Sequence, residues 1–150
     1  MNWMNDMLIK IHKLKKEAVF PRYSTSDSAG ADLYACLESK VSIAPGKTCF
    51  IGTGLSLEIP SGYAGFIYAR SGLASKSGLA PANKVGVIDS DYRGEIIVAL
   101  YNHSEVERTI SDGDRIAQIV FTRVEHAEFI ESESIENTER GAGGFGSTGK

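Results

Sequence analysis

Glu95-Ile96-Ile97-Val98-Ala99-Leu100-Tyr101 is the stretch on which the fold turns, because its five central residues are all apolar. β-Branched side chains lead it, which favours a strand over a helix. A strand sends successive side chains to opposite faces, so this one needs cover on both, from a second sheet or from a neighbouring subunit. Working outward, similar runs recur. Ile9-Lys10-Ile11-His12, Leu55-Ser56-Leu57-Glu58-Ile59 and Val106-Glu107-Arg108-Thr109-Ile110 alternate with period two. Tyr63 to Ala69 and Arg115 to Val124 are rich in aromatic and β-branched residues. Ala44-Pro45-Gly46-Lys47, Ile59-Pro60-Ser61-Gly62 and Ser111-Asp112-Gly113-Asp114 read as turns between them. One short helix is predicted near Ser71 to Lys76, with Ser71 as its N-cap. Strands at this spacing predict an all-β chain, a jelly-roll-like barrel or sandwich.

The composition suits a single domain. The chain has 150 residues, 42% hydrophobic and 23% charged, with a formal net charge of −3. That charge excludes a general basic field for nucleic acid polymers. No apolar run approaches the length of a membrane span, and the opening Met1-Asn2-Trp3-Met4-Asn5-Asp6-Met7 has no signal-peptide core. Residues 1–135 are read as the core, with 1–7 a ragged extension, and 136–150 as a flexible Gly-rich tail. Cys36 and Cys49 are expected as buried thiols in a reducing compartment, the cytoplasm, or the nucleus of a eukaryote. His12, His103 and His126 share no metal-ligand spacing.

Five patches concentrate groups able to do chemistry: Ser28-Ala29-Gly30-Ala31-Asp32-Leu33-Tyr34, Ala69-Arg70-Ser71-Gly72-Leu73-Ala74, Asn83 to Glu95, Gly113-Asp114-Arg115-Ile116-Ala117-Gln118, and the tail from Arg140 to Lys150. Each has a plain structural alternative. Asp32 could cap a turn, Ser71 could open a helix, Asp89-Ser90-Asp91-Tyr92-Arg93-Gly94 could be a hairpin loop, and Asp114 with Arg115 could be a surface ion pair. Gln118 is harder to explain that way, since an amide in an apolar strand needs partners. In the tail, five glycines surround an arginine, an aromatic ring and two hydroxyls. Such a segment can close over phosphates as a lid. Gly144 to Lys150 imitates a P-loop, but that loop needs a following Ser or Thr and a helix, so the P-loop reading is set aside.

In order and spacing the five patches resemble the deoxyuridine triphosphatase (dUTPase) family in its homotrimeric, all-β form, from about Leu8 onward. The resemblance implies magnesium-assisted hydrolysis of dUTP to dUMP and diphosphate by water attack on the α-phosphorus, which holds dUTP low and supplies dUMP for dTMP synthesis. Asp89 matches the acid that aims the water, help typically worth ~10²–10⁴ in rate; Asp91 is given a structural role. Tyr92 matches the ring under the deoxyribose, leaving no room for a 2′-hydroxyl. Asn83, Gly86, Val87 and Ile88 match the hairpin whose main chain reads uracil. Arg70, Ser71 and Gly72 match a phosphate-binding turn, and Gln118 an α-phosphate contact. Arg140, Ser147 and Thr148 match a γ-phosphate clamp, with Gly146 beside them and Phe145 stacking on uracil. Asp32 matches a residue near Mg2+, held through water with the substrate phosphates as direct ligands.

The resemblance also implies active sites shared in the homotrimer. The first, second and fourth patches would come from one subunit, the hairpin from another and the tail from a third. Ala69 stands where proline is common, and Lys84 lies within the hairpin; neither removes a group the chemistry needs. Two alternatives stay open at this point. A dCTP deaminase shares the fold but needs a different base edge and a glutamate near the pyrimidine. A nucleotide-binding module would keep the fold without turnover.

Overall fold

The computed structural model describes residues 7–145. Its strands are β1 (Lys10–Lys13), β2 (Arg22–Tyr23), β3 (Ala31–Tyr34), β4 (Val41–Ile43), β5 (Thr48–Gly52), β6 (Leu55–Glu58), β7 (Tyr63–Tyr68), β8 (Leu79–Pro81), β9 (Gly86–Ile88), β10 (Ile97–Asn102), β11 (Arg108–Ile110) and β12 (Arg115–Arg123). Among the described residues a single helix, α1 (Ser71–Ser77), lies between β7 and β8. All pairings are antiparallel. The largest sheet runs β2-β3-β12-β7-β9, a second runs β5-β10-β8, and β1-β6 and β4-β11 form two further pairs. This is the jelly-roll-like, all-β architecture that the alternating runs predict.

The core lies between the sheets. Leu33, Ile43, Ile51, Ile96, Val98, Leu100, Ile116 and Ile119 are nearly or wholly withdrawn from solvent there. Burial of such side chains stabilises by roughly 1.5–3 kcal/mol each. The decisive apolar run behaves as half of the expectation. Val98 and Leu100 of β10 face the core, but Ile97 is 45% exposed, and Phe50, opposite Ala99 on β5, is 74% exposed. One face of the strand is therefore covered by its own chain and the other is open.

The turns explain how the strands reverse. Gly46 follows Pro45 with φ +69, the left-handed conformation a type II turn requires. α1 ends at Gly78, whose φ of +67 and N–H bonded to the Ala74 carbonyl close the last turn. Its beginning differs from expectation. Arg70, not Ser71, is the N-cap, with extended backbone (φ −85, ψ 128) and no side-chain capping bond. A bond from the Arg70 side chain to Asp32 ties this residue to the sheet, and Ser71 is the first helical residue.

Both cysteines are free thiols, Cys36 buried and Cys49 only half-buried at the rim of the core. Burial pushes the Cys36 thiol above its ordinary value, with Lys15 opposing, which favours the unreactive protonated form. After β12, residues 124–145 form no helix or strand, and Phe129, Ile130 and Ile135 are almost fully exposed. Among the described residues no helix is long and apolar enough to cross a membrane.

Candidate active site

Strand pairing brings the first, second and fourth patches together. Asp32 on β3 lies opposite Gln118 on β12, and Gln118 lies opposite Tyr68 at the end of β7. The chain then turns into Arg70, Ser71 and Gly72 at the start of α1. A β-bulge between Arg115 and Ala117 completes the grouping. An odd offset along a regular strand puts two side chains on opposite faces. The extra residue at the bulge, with Ile116 and Ala117 both buried, lets Arg115 and Gln118 reach the same carboxylate region.

The result is a cleft of about 280 Å³ lined by Ser24, Gly30, Asp32, Arg70, Ser71 and Gln118, among others. Asp32 is its electrostatic hinge. Arg70 Nε donates to Asp32 Oδ1 at 2.7 Å, Arg115 Nη1 donates to Oδ2 at 3.3 Å, and the Ser24 hydroxyl donates to Oδ2 at 3.4 Å. Two guanidinium groups against one buried carboxylate leave the cluster with net positive charge, which favours an anion. Gln118 Nε2 donates to the Ala69 carbonyl at 2.9 Å, meeting the expectation that this amide has a partner. Its Oε1 faces Gly30, where an added Cβ would stand only 2.5 Å away.

One plain structural alternative fails here, and one expectation is corrected. Arg115 does not pair with Asp114, whose Oδ2 instead accepts the Ser111 N–H at 2.7 Å within its own turn. The hairpin expected around Asn83 does not pair its two arms with each other. β8 pairs with β10 and β9 with β7, so residues 82–85 cross from one sheet to the other. The crossing is tight: Val85 N–H bonds the Asn83 carbonyl at 2.7 Å, and Lys84 takes φ +64, unusual for a residue with a side chain. Gly86, Val87 and Ile88 form β9, with Val87 exposed.

Asp89 follows β9 and lines a separate cleft of about 500 Å³, with Tyr63, Phe66, Val87, Asp91 and His126 among its walls. The loop beyond it is braced internally. Tyr92 N–H bonds the Asp89 carbonyl at 3.2 Å, and Arg93 Nη1 donates to the carbonyls of Ser90 (2.7 Å) and Tyr92 (3.0 Å). Thus one chain does not line a single cleft with both the cationic cradle and Asp89. In the tail, Arg140 is exposed and bonds the Gly143 carbonyl within its own turn, and Phe145 is fully exposed. Gly146, Ser147 and Thr148 lie outside the described residues, as do residues 1–6 of the expected N-terminal extension. Sequence reasoning missed Ser24 and gave Arg115 no part in the cradle. Nothing local to either residue signals its partner, which lies 8 and 83 positions away.

The dUTPase family profile matches residues 16–149. The chain is 50% identical over 149 residues to the deoxyuridine 5′-triphosphate nucleotidohydrolase of Desulfitobacterium hafniense, covering 97% of this chain and 99% of the relative. Among solved structures, a variant of the dUTPase of Staphylococcus bacteriophage 80alpha with dUpNHpp superposes with a TM-score of 0.87 at 27% identity, covering 95% of this chain and 99% of that one. A variant of the dUTPase from phage phi11 of S. aureus, described for its coordination of a structural Mg(II) ion, shares the fold with a TM-score of 0.78 at 23% identity, covering 87% and 99%.

Proposed function

The chain belongs to the dUTPase family, and from that premise we propose how its residues divide the work of hydrolysing dUTP to dUMP and diphosphate. The observation that carries the reading is the cleft that Asp32 and Arg70 line with Ser71, Gly72 and Gln118, while Arg115, bonded to the same carboxylate, lines the adjoining cleft with Arg70. It offers directed cationic and amide donors to a phosphate chain, and donors fixed before the substrate arrives need not reorganise during reaction. Arg70, Ser71 and Gly72 bind phosphate oxygens there, and Gln118 meets the α-phosphate.

Asp89 aims a water at the α-phosphorus and accepts its proton as the bond to the α–β bridging oxygen breaks, releasing diphosphate. Tyr92 packs under the deoxyribose. Asn83 and the main chain of Gly86, Val87 and Ile88 read the uracil edge. Arg140, Ser147 and Thr148, with Gly146, close on the γ-phosphate, and Phe145 covers the base. In this division residues 1–135 are the working core and 136–150 the closing tail.

The acidic groups fit magnesium through water and not as a protein cage. Among the described residues no three His, Cys, Asp or Glu side chains gather into such a cage. Asp32 accepts three bonds from Arg70, Arg115 and Ser24. A carboxylate accepts about four, so one position remains for a metal-bound water. When bound, magnesium supplies neutralisation of the triphosphate charge, with the phosphate oxygens as its direct ligands.

We assign the working form to a homotrimer with shared sites. Two observations support this: the separation of Asp89 from the cradle, and the open apolar face carrying Phe50 and Ile97. The two free thiols suit a reducing compartment, and we assign the cytoplasm. The test is a panel of nucleoside triphosphates assayed for diphosphate and ammonia. Diphosphate from dUTP alone is the expected outcome. Ammonia from dCTP would indicate a deaminase, and neither product a binding module; both outcomes contradict the reading.

A further inference from the structure

We propose that Gly94 is a specificity-determining positioning residue, whose missing side chain is the space that seats the Tyr92 ring. The inference rests on the reading of Tyr92 as the ring under the deoxyribose and extends it to what holds that ring.

Glycine usually marks a backbone that other residues resist. Gly62 (φ +83) and Gly113 (φ +77) are of that kind, but Gly94 is not among the glycines with positive φ. Its backbone admits any L-residue. What excludes a side chain is Tyr92. A Cβ built on Gly94 would stand 2.5 Å from Tyr92 Cζ and 2.9 Å from Cε2, and its three nearest neighbours all belong to that phenol. Real carbon atoms do not approach so closely. The phenol is folded back over Gly94 so that its hydroxyl donates to the Glu95 carbonyl at 3.0 Å.

The backbone cannot retreat to make room. On one side the Ser56 hydroxyl donates to the Arg93 carbonyl at 2.7 Å. On the other, the Glu95 carboxylate accepts the Gly54 N–H at 2.8 Å, and Ile96 N–H bonds the Leu55 carbonyl at 2.8 Å. Both flanks of Gly94 are thereby pinned to the β5–β6 corner and to β6. Tyr92, by contrast, is 42% exposed, and its ring can swing outward at the cost of one exposed bond, from its hydroxyl to the Glu95 carbonyl. A methyl at position 94 therefore displaces the ring and leaves the sheet intact. With the ring displaced, the space it denies to a 2′-hydroxyl opens.

The experiment compares kcat/KM for dUTP and for UTP in the full chain, in Gly94→Ala, in Tyr92→Ala and in the double variant, with thermal melts of each. Gly94→Ala is expected to lower the preference for dUTP by roughly tenfold or more, the scale of discrimination that small steric changes command. It should melt close to the parent. The double variant should match Tyr92→Ala, because two changes acting through one ring are not additive. If Tyr92→Ala loses the preference while Gly94→Ala keeps it, the proposal is overturned and the reading of Tyr92 stands. If Tyr92→Ala keeps the preference, that reading fails and the proposal falls with it. A Gly94→Ala chain that does not fold also overturns the proposal, since the methyl would then be straining the sheet and not the ring.

Discussion

At the scale of single residues, the cradle shows how small groups set the aim of large ones. Gly30 leaves room for the Gln118 amide, and Asp32 fixes the fork of Arg70. Gly30→Ala should push Gln118 away from its bond to the Ala69 carbonyl. Loss of about tenfold in kcat/KM for dUTP is expected, since a misplacement of about 1 Å can cost ~10²-fold and a smaller one less. An unaltered kcat/KM would show that Gln118 has no part in aligning the phosphates. Asp89→Asn is a different kind of change: it keeps shape and removes the proton acceptor. Turnover should fall by ~10²–10⁴, while dUTP affinity, measured by calorimetry, stays near the parent's. A parallel loss of binding and turnover would contradict the assigned role.

At the scale of elements, the ends of strands matter as much as their middles. Asn102 closes β10 and is wholly buried. Its amide nitrogen donates to the carbonyls of Ile43 and Val106, both at 2.8 Å, and its oxygen accepts the Ser104 N–H (2.9 Å) and hydroxyl (2.7 Å). All four bonding positions are used, so Asn102→Ala leaves the buried Ile43 carbonyl without its partner and removes bonds to half-buried groups of Ser104. A loss on the order of 3 kcal/mol is expected, read as a lower melting temperature. A melt within experimental error of the parent's would mean that water replaces the amide.

Much of this scale was legible in the sequence, because period-two alternation reports directly on which face is buried. β1, β6, β7, β10, β11 and β12 fall where the alternating or β-branched runs place them. Very short strands such as β2 and β4 carry too few residues to show a period. The N-cap of α1, the partner of Arg115 and the crossing at Asn83 were not legible either. Each is decided by contacts far away in the chain or by a bulge, which leaves no local pattern. The five patches were legible as chemistry, yet the grouping of four of them into two separate clefts belongs to the fold alone.

At the scale of the whole molecule, residues 124–145 contribute no strand to any sheet, and among the described residues Arg140 bonds within its own turn. Deleting residues 140–150 should therefore leave the melting temperature and the oligomeric state unchanged while nearly abolishing dUTP hydrolysis. Aggregation of the shortened chain, or normal turnover by it, would refute this. The open flank of β5 and β10 has a further consequence. In the shared arrangement proposed above, catalysis depends on mass action between identical chains. Extreme dilution then silences the enzyme with no inhibitor present, and specific activity plotted against protein concentration carries a threshold that reports how strongly the copies hold together.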